Sequence, residues 1–216
     1  NTKERMHSVA KTSVSKESKI TGTNLIRWTG LSTIVAGIIF AGIQPIHPAD
    51  VVASVTTTAW AIITPLKTTM GLLLLLGIVG LYARHANKAG WLGLVGFLLF
   101  GLSWAIQTAF VFAESFIIPP LASSVPKFVD GFLGVAAGRA SEVDLGAIPI
   151  LYGLIVGGGY MLGGLVFGIA MFRAGILPRW ASGLLAVTAA LTPLAGLAPH
   201  AIQRLAAMPM GLALAC

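Results

Sequence analysis

Apolar residues in this chain gather into long uninterrupted runs instead of alternating with polar ones. Five runs, 25–46, 59–82, 91–112, 148–172 and 180–198, reach the roughly 20 residues that a helix needs to cross a hydrocarbon core about 30 Å thick. A further run, 205–216, is shorter and stops where the chain stops. The pattern predicts an all-α, polytopic transmembrane helical bundle with five full spans plus a partial sixth, which reads as truncated.

The segments between runs refine that picture. Those at 84–90 and 173–179 are short and turn-like, so the spans they join are expected to form antiparallel hairpins. The connection at 113–147 is long. Pro119 and Pro120 are expected to end the third span, because neither can continue a helix. The stretch 124–138 then reads as a short helix capped by Ser124 and ended by Gly138. Phe128, Val129, Phe132, Leu133, Val135 and Ala136 would share a broad face, which suits an interfacial or re-entrant helix at the outer side or a loop packed on the bundle. Residues 1–24 are polar and basic and lack the apolar core of a signal peptide; they read as a disordered cytoplasmic tail.

Composition excludes the soluble classes: 56% of residues are hydrophobic, 10% are charged and mean hydropathy is +0.88, leaving too few charges to build a wetted surface. The net charge of +7 raises nucleic-acid binding, but the basic residues sit at run ends and form no stripe interleaved with aromatics. They bear on orientation instead. With the N-terminus inside, Lys3, Arg5, Lys11, Lys16, Lys19, Arg27, Arg84, Lys88, Arg173 and Arg179 all fall on the cytoplasmic side. Trp28, Trp91 and Trp180 would then mark inner membrane interfaces and Trp60 an outer one.

Glycine is dense in the fourth run, at Gly153, Gly157, Gly158, Gly159, Gly163, Gly164 and Gly168, and such small-residue spacing lets helices approach closely. The close contacts could lie within the bundle or receive another subunit, so lipid, membrane-protein subunits or further copies of the chain are the expected partners.

Charges at membrane depth are expensive, and two stand out. Lys67 follows Pro65 in the second span, and Glu114 lies at the outer end of the third. The spans form a predicted hairpin, so the two could simply neutralise each other. They could also wall an outward-facing polar pocket with Gln107 and Gln44, able to take a small ion or relay a proton. A weaker set, His47, Asp50 and His200, offers nitrogen and oxygen ligands on the same side, but His47-Pro48-Ala49-Asp50 is turn-like and no diagnostic metal spacing exists. Cys216 is the lone cysteine, which excludes an intramolecular disulfide and a zinc-ligand cluster. No histidine falls inside a predicted span, so bis-histidine haem within the bundle is not expected. The zinc-protease, hydrolase-elbow and phosphate-loop motifs are absent, which leaves an enzymatic reading unsupported.

The succession Ile46-His47-Pro48-Ala49-Asp50, Leu81-Tyr82-Ala83-Arg84, Glu114-Ser115-Phe116-Ile117-Ile118-Pro119 and Leu177-Pro178-Arg179-Trp180 resembles small uncharacterised bacterial multipass membrane proteins. The resemblance implies a bacterial cytoplasmic-membrane address and carries no activity. Two functional expectations lead: a non-enzymatic packing or accessory subunit of a membrane assembly, suggested by the glycines, and a small transporter, channel or membrane sensor built on Lys67 and Glu114. An intramembrane enzyme or pigment carrier ranks behind both.

Overall fold

Where side chains offer few hydrogen-bond partners, backbone N–H and C=O groups must satisfy one another, and apolar runs accordingly fold as helices. The computed structural model describes residues 21–175, 177–195 and 200–216, the side chains of Ala195, His200 and Ala201 excepted. The expected tail at 1–24 therefore lies almost wholly outside the described residues.

Helix α1 (Gly22–Ile43) starts at Thr21, whose hydroxyl accepts from the Asn24 N–H, and runs into a 3-10 turn at Gln44–Ile46. After the short α2 (Val52–Val55) comes α3 (Thr58–Phe112), 55 residues long. It continues through a π-turn (Ala113–Ile117) into α4 (Ile118–Leu121). Next are α5 (Pro126–Gly134), a 3-10 turn (Val135–Ala137), α6 (Ile148–Leu151), a π-helical stretch (Tyr152–Gly158) and α7 (Gly159–Ala174). The chain closes with α8 (Arg179–Ala195) and α9 (His200–Ala215). No strand occurs among the described residues.

Among the described residues, three helical runs are long and apolar enough to cross a membrane: Gly22–Ile46, Thr58–Leu121 and Ile148–Ala174. Five were expected. The difference has two sources. The expected second and third spans fall within one run, Thr58–Leu121, that is interrupted at Gly90, since helix persists through residues 84–89 where a loop was predicted. Within the described residues the later runs are shorter than a full span, with 17 residues in α8 and 16 in α9. The 64-residue run is not straight, however. At Gly90 the backbone takes φ 55° and ψ −154°, a left-sided conformation that glycine adopts without a Cβ clash, and the helix folds back there. Tyr82 stacks on Phe97 with ring centroids 4.5 Å apart, Gly71 faces Thr108, and Lys67 meets Glu114, so the two halves run antiparallel.

The helices close into a ring. Threonines of α1 sit against Gly77 and Gly80 of α3; Gly96 lies against the Phe167 backbone of α7; Gly168 of α7 meets Ala186 of α8. Thr188 of α8 reaches Met210 of α9, and Gly211 of α9 returns to Ala41 and Gly37 of α1. The outside of the ring is apolar, with Leu72, Leu76, Leu98, Leu102, Leu154 and Val187 each more than half exposed.

The connection at 113–147 departs from expectation at its prolines and at Ser124. Pro119 and Pro120 do not end the helix, because the π-turn before them shifts the hydrogen-bond pattern and seats both in the first turn of α4, where a proline's missing N–H costs little. Ser124 does not cap α5; its hydroxyl donates to Leu121 O, while Gly138, at φ 65°, does end the segment. Helix α5 is itself buried over Val129 and residues 131–134. Val129, Phe132 and Leu133 pack on Val55, Trp60 and Ile118, and the face with Gly131 and Gly134 lies under Ser141 and Arg139.

A polar cavity inside the helix ring

The π-turn at Ala113–Ile117 sets the site. Ile118 N–H bonds to Ala113 O, and Pro119, which has no N–H, cannot serve the next carbonyl. That carbonyl, Glu114 O, accepts instead from the indole Nε1–H of Trp60 at 3.0 Å. Trp60 was expected at a membrane interface and is fully buried for this reason, whereas Trp28, Trp91 and Trp180 are exposed. The same turn directs two side chains at the first half of α3. Glu114 Oε2 lies 2.7 Å from Lys67 Nζ, the side chains being 6% and 11% exposed, and the hydroxyls of Ser115 and Thr68 are 2.9 Å apart.

Lys67, Glu114, Gln107 and Gln44 line one cavity of about 550 Å³. Gln44 is fixed by donating from Nε2 to Phe40 O at 3.0 Å. The walls also include Trp104, Tyr152 and Tyr160, none of which the sequence singled out, and the apolar side chains of Phe40, Met70 and Met210. Tyr152 belongs to the second π-helical stretch, within which Val156 O accepts from Ser103 Oγ at 2.9 Å. A mid-span Trp104 with no interface to anchor was the available signal for this wall.

At the end of the cavity formed by the connections, Arg204 Nη2 lies 2.7 Å from Asp50 Oδ2, and Arg139 donates to Asp50 O at 3.2 Å. Asp50 and Arg204 both line the cavity. His47 stands beside them, its Nδ1 2.6 Å from Pro48 O and its ring edge-on to Trp60. Burial, reinforced by the nearby positive charges of Lys67 and Arg204, pushes its pKa down to about 3 against the opposing pull of Asp50 and the Pro48 carbonyl, so the ring is neutral at pH 7. Among the described residues no group of three or more His, Cys, Asp or Glu side chains is placed to hold a metal ion. The His200 side chain lies outside the described residues. His85, expected in an exposed turn, is instead buried in α3 with Nδ1 2.6 Å from Leu81 O.

The candidate packing glycines divide. A Cβ on Gly163 would strike the Phe100 main chain, one on Gly168 would lie 2.7 Å from Ala186 N, and those on Gly164 and Gly159 would meet Ala189 and Ser103. Gly153 faces open space, and Gly157 lines the cavity and meets only its own helix. Comparison of the chain with protein-family models, curated proteins and solved structures gives no match.

Proposed function

We propose that the chain is a multipass integral membrane protein that binds a small molecule in an outward-facing cavity built around Lys67 and Glu114, the step that a transporter and a membrane sensor share. In this reading α1, the two halves of the run reversed at Gly90, α7 and α8 are five passes and α9 a partial sixth, with the N-terminus inside a bacterial cytoplasmic membrane. The exposed exterior leucines suit lipid, and the basic residues suit that orientation.

One observation carries the proposal. Four polar residues drawn from the 3-10 turn after α1, both halves of α3 and the π-turn converge on a single cavity of the size that small-molecule sites have, about 300–1,000 Å³. The accessory-subunit reading rests on glycine faces, and Gly159, Gly163, Gly164 and Gly168 have neighbours within this chain, which favours the cavity.

Native mass spectrometry after gentle detergent extraction tests the choice. A single chain or homo-oligomer that carries a small molecule supports the proposal, with the molecule lost from a Lys67→Met, Glu114→Gln double variant. A stable heteromer carrying no small molecule overturns it in favour of an accessory subunit.

A further inference from the structure

The charged residues on the cavity wall cancel. Among the described residues two acids and two bases are present, and each acid lies 2.7 Å from a base, Glu114 from Lys67 and Asp50 from Arg204. A ligand with a net charge would enter a buried site whose own charges already neutralise each other, and it would leave its solvation shell without a free counter-charge to replace it.

Two uncharged polar atoms on the same wall do lack partners, although the Gln107 amide also interacts with the Tyr152 hydroxyl. The indole Nε1 of Trp104, a residue 4% exposed, and the amide Oε1 of Gln107 are buried and make no hydrogen bond to any described residue. Both residues line the cavity and lie three positions apart in α3, so they are neighbours on one face of that helix. Buried polar atoms in folded proteins are nearly always satisfied, and one donor beside one acceptor calls for a complementary pair. Around them the wall is aromatic and apolar, with Phe40, Tyr160, Met70 and Met210.

From this juxtaposition we infer that the ligand is an uncharged amphipathic molecule whose head, an amide or a group of equivalent hydrogen-bonding capacity, accepts from Trp104 Nε1–H and donates to Gln107 Oε1 while its apolar body packs on the aromatic wall. The inference rests on the cavity being a binding site and adds the chemical class of what binds.

The test uses three probes with one body and different heads: 4-phenylbutanamide, 4-phenylbutanoate and 4-phenylbutylamine. Binding to the full chain in nanodiscs is read by ligand-observed NMR against empty nanodiscs. The amide is expected to bind at least tenfold more tightly than the acid or the amine. Trp104→Phe, which keeps a ring and loses the N–H, and Gln107→Leu are each expected to weaken the amide about tenfold. Tighter binding of the acid or the amine overturns the uncharged class and leaves the cavity a binding site, as does amide binding unmoved by either substitution. Absence of binding by all three overturns the cavity reading together with the inference.

Discussion

Trp60 and Glu114, 54 positions apart, are joined by the bond from the Trp60 indole to the main-chain oxygen of Glu114 that Pro119 leaves unserved. The π-turn, the buried tryptophan and the Lys67 ion pair are thus one unit, and its energetics are open to measurement. Removing one member of a buried ion pair strands the other charge, at a cost of about 3–5 kcal/mol. Lys67→Met and Glu114→Gln are each expected to destabilise by that order in thermal unfolding. The double variant should recover most of the loss; additive losses would show that the two side chains do not depend on each other.

The Asp50–Arg204 pair is the contrast. Its side chains are 21% and 23% exposed, and solvent screening lowers the value of such a pair toward 1 kcal/mol or less. Arg204→Met should therefore cost less stability than Lys67→Met. Hydrogen exchange in residues 47–57 should rise in this variant, because Arg204 ties that loop to α9.

Acidification should weaken the fold through His47. Its folded pKa is depressed to about 3 from an ordinary 6.5, so between those values the unfolded chain binds the proton and the folded chain does not. Stability is full above about 6.5 and falls as pH drops toward 3, by at most about 1.4 kcal/mol per pH unit. Unfolding followed from pH 7 to pH 5 should show this slope, and His47→Asn should flatten it.

Helix contacts give a third comparison. Gly163→Ala drives a methyl into the Phe100 main chain and is expected to cost about 1–3 kcal/mol, whereas Gly153→Ala, with nothing within 4 Å, should be neutral to within about 0.5 kcal/mol. Equal effects at the two positions would contradict the packing described.

Much of this was legible in the sequence, and the failures share a cause. Run length and hydropathy marked the helical segments, and expensive charges marked Lys67 and Glu114. What the pattern missed lies in hydrogen-bond bookkeeping across elements. Pro119 and Pro120 signalled a helix end by their chemistry, but the π-turn ahead of them supplies an alternative that no local rule anticipates. Trp60 had the composition of an interface anchor, and only the orphaned Glu114 carbonyl explains its burial. Residues 84–89 carry turn-like polar residues that are equally at home on an exposed helix surface, so the reversal fell at Gly90 alone. Trp104, Tyr152 and Tyr160 are apolar enough to vanish into their runs, and Arg204 could be matched to Asp50, 154 positions away, only in three dimensions.

Access to the cavity from outside is the central claim, and a single cysteine measures it. In a Cys216→Ser background, Gln107→Cys is exposed in intact cells to a small membrane-impermeant thiosulfonate, with Glu142→Cys and Asn87→Cys as the outer and inner references of the proposed orientation. The account predicts that Gln107→Cys reacts in intact cells alongside Glu142→Cys, while Asn87→Cys reacts only after permeabilisation. Reaction of Gln107→Cys only after permeabilisation would contradict it.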